Sequence, residues 1–269
     1  MKYKLIASDF DGTIYDGEQV SPRVVDAIAE YRRAGGKFVV ATGRIFESIR
    51  KKVPTLGADD ELIACQGAAL YSTATGKVLK RFPLPFELAK KAVDYYEANG
   101  DVCHAYADHE FYVAAPNDYS DTYARYCEVT PTYLGCPLSS FLPKMEAINK
   151  IIAIIDADKI DERIKDLSDL LGEEAEVTKS APMFLEVTSA KAGKGNCLIA
   201  LADLVGIPLD EVAAVGDQLN DLSMIKAAGL GVTVENGIDV IKQNADLVLP
   251  SVKDGGVADL IEKILRDEL

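Results

Sequence analysis

Residues 5–13 read Leu5-Ile6-Ala7-Ser8-Asp9-Phe10-Asp11-Gly12-Thr13, a short apolar run that stops at two acids and a glycine. Ser21-Pro22 and Gly35-Gly36 then bracket a helix-length segment, and Phe38-Val39-Val40-Ala41-Thr42-Gly43-Arg44 repeats the apolar run. Ser21 reads as an N-cap, Pro22 as the first helical residue and the glycine pair as the stop. This is a strand–helix–strand rhythm, the unit from which parallel sheets are built, and a further helix is expected after Arg44. The C-terminal third repeats it with a helix after Lys194, the run Val212-Ala213-Ala214-Val215, a helix from Asp221, the runs Gly231–Val234 and Leu247–Leu249, and a terminal helix. The middle differs. Phe111-Tyr112-Val113 and Ile151–Ile155 sit among longer, tyrosine-rich connections, and Pro83 and Pro85 mark a boundary. The expected fold is α/β: a Rossmann-like parallel-sheet core from residues 1–83 and 189–269, interrupted by an α+β insert over residues 84–188.

Composition narrows the class of function. A chain of 269 residues, 48% hydrophobic and 27% charged, is one large or two modest domains. Its formal charge of −14 argues against coating nucleic acid or anionic lipid, and Arg50-Lys51-Lys52 is too short to reverse that. Cys65, Cys103, Cys127, Cys136 and Cys197 are odd in number and contain no C-x-x-C pair, which favours a reducing compartment over a disulfide framework. His104 and His109 lack the ligand spacing of a structural zinc site. No run approaches the ~18 apolar residues of a membrane span, and Leu5-Ile6-Ala7 falls short of a signal-peptide core of about 7–15 residues. The expectation is a soluble cytoplasmic protein that is its own mature form, with no nucleic-acid or membrane partner and no evident protein partner.

Four motifs carry chemistry. Residues two apart on a strand face the same side, about 6–7 Å apart, so Asp9 and Asp11 can flank one small reacting group while Gly12 allows a sharp exit. A D-x-D-G string arises by chance about 0.2 times in such a chain, which leaves an acidic turn as the plain alternative. An EF-hand loop from Asp9 would need Gly at position 14 and Glu at position 20, where Ile14 and Val20 stand. Gly216-Asp217-Gln218-Leu219-Asn220-Asp221 closes another strand, and its G-D-x-x-N-D pattern is expected by chance only about 0.004 times. Its carboxylates and amide oxygen are hard ligands suited to a partly hydrated Mg²⁺; the alternative is that Asn220 and Asp221 cap the next helix. Thr42-Gly43-Arg44 opens a helix with a hydroxyl and free amides, which fits an anion or a plain cap. Lys194, between Gly193 and Gly195, does not complete a P-loop, because Thr188 and Gly195 replace the first glycine and the hydroxyl residue. Strand ends of a parallel sheet would bring Asp9, Asp11, Thr42, Lys194, Asp217 and Asp221 to one crevice. A carboxylate attacking a phosphate dianion needs such a set of cation, lysine and N–H donors around it.

With these motifs in this order, and with Gly231-Val232 to Asn236 and Asp254-Gly255-Gly256-Val257 in the tail, the chain resembles the haloacid dehalogenase-like (HAD) superfamily. Specifically it resembles the Cof-type sugar-phosphatase branch with a large α/β cap, over essentially its whole length. The resemblance implies a Mg²⁺-dependent phosphatase of small phosphorylated metabolites, sugar phosphates foremost. Asp9 would be the nucleophile that becomes an aspartyl-phosphate, and Asp11 the acid and then the base. The Asp9 carboxylate, the Asp11 carbonyl and Asp217 would hold Mg²⁺, with Asn220 and Asp221 ligating or orienting. Thr42 and Lys194 would hold phosphoryl oxygens, with Gly43 and Arg44 supporting that loop and Arg44 extending to substrate or cap. Two departures stand out: Gln66 replaces the usual Asn before Gly67-Ala68, and Gly237 replaces the usual Ala after Asn236. Residues 84–188 would be the mobile cap, with His104, Tyr106, Asp108 and Tyr112 as candidate specificity residues and Asn236 as a candidate substrate contact; ordinary hairpin roles are the alternative for the cap residues. Two rivals accompany this reading: a phosphomutase resembling phosphomannomutases, and a non-catalytic module that binds a metal or phosphometabolite.

Overall fold

The opening run forms β1 (Leu5–Ser8), and α1 (Pro22–Arg33) leads to β2 (Lys37–Ala41) in a computed structural model that describes residues 1–107 and 109–269. Pro22 opens the helix, but Ser21 caps it with its carbonyl, which accepts from the amides of Val24 and Val25, while its hydroxyl makes no capping bond. The helix expected after Arg44 is a single turn, α2 (Phe46–Ile49), with a 3-10 turn at Val53–Leu56 beyond it. Pro54 has no amide to donate, so the helix does not run on. Strands β3 (Glu61–Ala64), β4 (Ala69–Ser72) and β5 (Val78–Arg81) follow.

The middle of the chain forms α3 (Phe86–Ala98), β6 (Val102–Ala107), β7 (Glu110–Val113), α4 (Asp118–Cys127), β8 (Pro131–Tyr133), α5 (Leu138–Phe141), β9 (Ile148–Ile154), α6 (Ile160–Leu171), β10 (Ala175–Ala181) and β11 (Phe184–Ser189). The C-terminal third contributes α7 (Lys194–Val205), β12 (Val212–Gly216), α8 (Leu222–Ala227), β13 (Leu230–Val234), α9 (Asp239–Lys242), β14 (Leu247–Leu249) and α10 (Gly256–Leu265). Two units result, one from Met1–Gly43, Ile49–Lys80 and Gly193–Leu269, the other from Arg44–Ser48 and Arg81–Ala192.

In the first unit the described strands run β14-β13-β12-β1-β2-β3-β4-β5. The pairs from β14 to β3 are parallel, and β4 returns antiparallel to β3. Every residue of β1, β12 and β13 is buried, so both faces of the sheet are covered, as a parallel sheet requires. Ser8 pairs with Val215 on one side and Val40 on the other. The three strands therefore finish level, and the chain leaves each of them at the same edge.

The second unit is a mixed sheet, in the order β10-β11-β9-β6-β7-β8, with β7 and β8 parallel and the other pairs antiparallel. Cys103, Ala105 and Ala107 alternate along β6 and pack in one cluster with Ala89, Val93 and Tyr96 of α3 and Leu167 of α6. The intervening residues face the other way. There His104, Tyr106 and Phe111 gather around Tyr123 of α4, with ring centroids 5.6–6.1 Å from its ring. Lys150 and Glu186 form a buried ion pair at 2.9 Å, with the ammonium 5.3 Å from the Tyr106 ring.

His104, a candidate specificity residue of this hairpin, is not accessible: it is fully buried, edge-on to Phe111 at 4.9 Å, and among the described residues neither ring nitrogen has a hydrogen-bond partner. Burial alone pulls its pKa down to about 4, so the fold holds it neutral. The unfolded chain binds this proton near pH 6.5, so stability is complete above that pH and falls as pH drops toward 4. The loss reaches about 3 kcal/mol. His104→Leu is expected to flatten that slope, so that urea midpoints at pH 7, 5 and 4 show the gap between parent and variant shifting in the variant's favour with acid.

Tyr106 is also buried, its ring stacked on Phe111. Tyr112 packs into the opposite, helix-covered cluster. Asp108, the fourth candidate of this hairpin, lies outside the described residues. No helix among the described residues is long and apolar enough to cross a membrane.

Candidate active site

Asp9 is the first residue beyond β1, held by its amide on the Val215 carbonyl at 2.8 Å. Asp217 is the first residue beyond β12, and Lys194 opens α7. The Lys194 ammonium lies 2.5 Å from Asp9 Oδ1 and 2.5 Å from Asp221 Oδ1, and its side chain has no solvent exposure. Asp9, Asp217 and Asp221 are all buried, with carboxylate oxygens within 4.8 Å of one another. Among the described residues these three are the acids so grouped.

Three buried acids and one buried base leave the cluster negative. Burial holds the Asp9 carboxyl well above the usual range, with the Lys194 ammonium opposing and the charges of Asp221 and Asp217 adding to the rise. Burial also raises Asp217, against the hydrogen bonds it accepts from Thr13 and Gln218. For Lys194, burial favours the neutral amine, and the Asp221 and Asp9 carboxylates more than reverse this, so the ammonium stays charged.

The acids and the polar residues around them differ in what holds them. Asp221 has both oxygens engaged by protein donors: Oδ1 by Lys194, Oδ2 by the amides of Asp217 at 2.9 Å and Gln218 at 3.0 Å. Asp217 accepts from Thr13 Oγ1 at 2.8 Å and Gln218 Nε2 at 3.1 Å. Asp11 is exposed and precedes Gly12, whose φ of +80° suits glycine and where a Cβ would fall 2.6 Å from Asp217 Oδ2. Thr42 is buried beyond β2, with its amide on the Ile63 carbonyl and its carbonyl taking the Gln66 amide. Asn220 is exposed and donates to Gln66 Oε1 at 2.7 Å.

Lys194 owes its position to close backbone packing. At Gly67, with φ +85°, a Cβ would sit 2.2 Å from the Gly193 carbonyl carbon and 2.6 Å from the Lys194 nitrogen. Ser223 Oγ takes the Gly195 amide at 3.0 Å, which pins the first turn of α7. Gly67→Ala is expected to cost about 2–3 kcal/mol, from the left-handed strain and the backbone clash together. It should also lower turnover by displacing Lys194; thermal melts and rate measurements on one preparation check both.

Asn236 spends both ends of its amide on backbone, donating to the Gly12 carbonyl at 2.7 Å and accepting from the Val252 amide at 2.9 Å. These two bonds brace two loops. Arg44 groups with the second unit, where its charge is felt by the Cys127 thiol. Thr13, Gln218 and Ser223 also serve the site; Thr13 and Gln218 stand inside the acid motifs, where a hydroxyl or amide beside a carboxylate marks a donor, while Ser223 carries no such signal.

Comparison with known proteins agrees with this geometry. A family model described as haloacid dehalogenase-like hydrolase matches residues 6–261. YxeH of Bacillus subtilis is 31% identical over 268 residues, covering 98% of each chain. The 5-amino-6-(5-phospho-D-ribitylamino)uracil phosphatase YwtE of the same organism is 27% identical, covering 98% of this chain and 99% of its own. The crystal structure of TM0651 from Thermotoga maritima superposes with a TM-score of 0.87 at 28% identity, over 97% of both chains. The chain belongs to the haloacid dehalogenase-like hydrolase family, in its Cof-type branch, and is an enzyme of phosphatase type.

Proposed function

We propose that the protein is a Mg²⁺-dependent phosphatase of small phosphorylated metabolites, with sugar and sugar-alcohol phosphates as the preferred class, acting through an aspartyl-phosphate on Asp9. The observation that carries this is the buried Lys194 ammonium bridging Asp9 and Asp221 beside Asp217. A carboxylate so placed is held as an oriented nucleophile with a cation at its side. The substrate class is supported by YwtE, whose name specifies a phosphate on a ribityl chain.

In the first half-reaction an Asp9 oxygen bonds to phosphorus as the ester P–O bond breaks, and Asp11 gives its proton to the departing alcohol oxygen. In the second, Asp11 takes a proton from water as that oxygen attacks phosphorus, and the Asp9–phosphorus bond breaks to release inorganic phosphate. Thr42, the Gly43 amide and Lys194 hold the phosphoryl oxygens.

The donor set fits a hard divalent ion, because all three acids present oxygen and lie within 4.8 Å of one another. Asp9, the Asp11 carbonyl and Asp217 would hold it, with Asn220 beside them. Asp221, whose oxygens take Lys194 and two backbone amides, would ligate or orient beside them. Bound Mg²⁺ supplies the positive charge that lets a carboxylate approach a phosphate dianion. The second unit is assigned as the cap that sets specificity, with Arg44, Tyr106 and Tyr112 among its residues.

The test is phosphate release from a panel of sugar, sugar-alcohol, nucleotide and cofactor phosphates, with Mg²⁺ and after dialysis against EDTA. Release that needs Mg²⁺ and favours the polyol esters is expected. Undiminished turnover after dialysis would overturn the metal assignment, and conversion of a hexose 1-phosphate to the 6-phosphate without free phosphate would replace hydrolysis by phosphoryl return.

A further inference from the structure

One side chain outside the motifs ties two site loops together. Gln66 follows β3, and it and Cys65 both hold left-handed backbone angles, with φ of 58° and 52°. Such angles are uncommon for residues other than glycine and cluster where the surroundings impose them. The Gln66 amide donates to the Thr42 carbonyl at 3.2 Å, which anchors it to the loop after β2. Its side-chain Oε1 accepts from Asn220 Nδ2 at 2.7 Å, across 154 positions of sequence. The carboxamide lies directly over Gly43, where a Cβ would fall 2.6 Å from Nε2 and 3.0 Å from Oε1. A methyl at residue 43 would force the Gln66 carboxamide to move.

An asparagine amide has one donor end and one acceptor end. We infer that Gln66 is a positioning residue for the cation site: by taking the Nδ2 end of Asn220, it leaves the Oδ1 end as the one a divalent cation can use. The inference rests on the metal reading above. Without Gln66 the Asn220 amide turns freely and offers its NH₂, which a cation rejects, as readily as its oxygen. Partners that orient metal-site groups in this way change metal affinity by about 10–100-fold when lost.

The test is calorimetric titration of Mg²⁺ into the full chain, with melting temperatures taken in EDTA to report folding separately. Gln66→Leu, which has no acceptor, is expected to bind Mg²⁺ about tenfold more weakly than the parent while melting within a few degrees of it. Gln66→Glu keeps an acceptor oxygen for Asn220 and is expected to bind Mg²⁺ clearly more tightly than Gln66→Leu, short of the roughly tenfold loss. Asn220→Ala should weaken binding by at least as much as Gln66→Leu, and adding Gln66→Leu to it should change nothing further. Gly43→Ala, whose methyl expels the carboxamide, should reproduce the Gln66→Leu loss, and it keeps the test decisive should Gln66→Leu fail to fold. Parent-like affinity in Gln66→Leu or in Gly43→Ala, losses that multiply in the double variant, or a Gln66→Glu as weak as Gln66→Leu would each overturn the inference. A parent chain that binds no Mg²⁺ would overturn the metal reading itself, and this inference with it. A parent that binds while Gln66→Leu matches it removes only the coupling.

Discussion

Asp9→Asn is expected to lower phosphate release by about 10⁴-fold or more, as loss of a covalent nucleophile does, while the folded protein persists. The substitution is nearly isosteric. The Asn Oδ1 can still accept from Lys194, so the contact at 2.5 Å survives in shape. What is lost is the negative charge, and that charge is costly where it sits: burial and the neighbouring Asp221 and Asp217 both hold the Asp9 carboxyl above its usual range. Removing it relieves repulsion in the cluster and weakens one arm of the Lys194 bridge, two effects of opposite sign. The melting temperature should therefore stay within several degrees of the parent. Phosphate release with Mg²⁺ and a thermal melt on the same sample decide the matter. Turnover unchanged in Asp9→Asn would remove it as nucleophile, and loss of both turnover and fold would make it a structural acid.

The second large effect is expected at Lys194. Its ammonium is the one cation bonded within the described acid cluster, with no solvent exposure of its own. Lys194→Met keeps most of the volume and deletes the charge, which leaves three buried carboxylates facing one another. Breaking a buried ion pair from one side costs about 3–5 kcal/mol, and here two partners are left at once, so the upper end of that range is expected in urea unfolding. Turnover should fall with it, since the group that balances Asp9 is gone. Mg²⁺ should raise the melting temperature of this variant by more than it raises the parent's, because a ligand that binds only the folded state stabilises it by mass action and the variant's site carries more uncompensated negative charge. A variant as stable as its parent without Mg²⁺ would mean that the acids take up protons once the lysine is gone and would overturn the expected cost.

The parts of this site that are local in sequence were readable from it. Asp9 and Asp11 follow an apolar run, Asp217 and Asp221 follow another, and Lys194 precedes a helix; a parallel sheet has one edge where such residues can emerge. The register of Ser8 with Val40 and Val215 places them there. The parts that depend on distant partners were not readable. Asn236 lies in a motif-like tail, and its amide bonds the backbone of Gly12, far away in sequence, and of Val252. Gln66 stood out only as a departure from pattern, and its bond to Asn220 spans 154 positions.

The same division holds in the second unit. Alternation along β6 separates Ala105 from His104 and Tyr106, but alternation does not say which face is covered. That is decided by α3 and α6 packing on one side and by Tyr123 of α4 meeting the rings on the other. What the amino-acid order determined by itself is the α/β class and the set of chemically able residues, because strand and helix periodicity and the residues at strand ends are short-range properties. The tertiary structure decided which of those residues are held in a common charge cluster, which are spent on bracing loops and which are buried, because burial and hydrogen-bond partnership depend on what other segments of the chain bring to the same place.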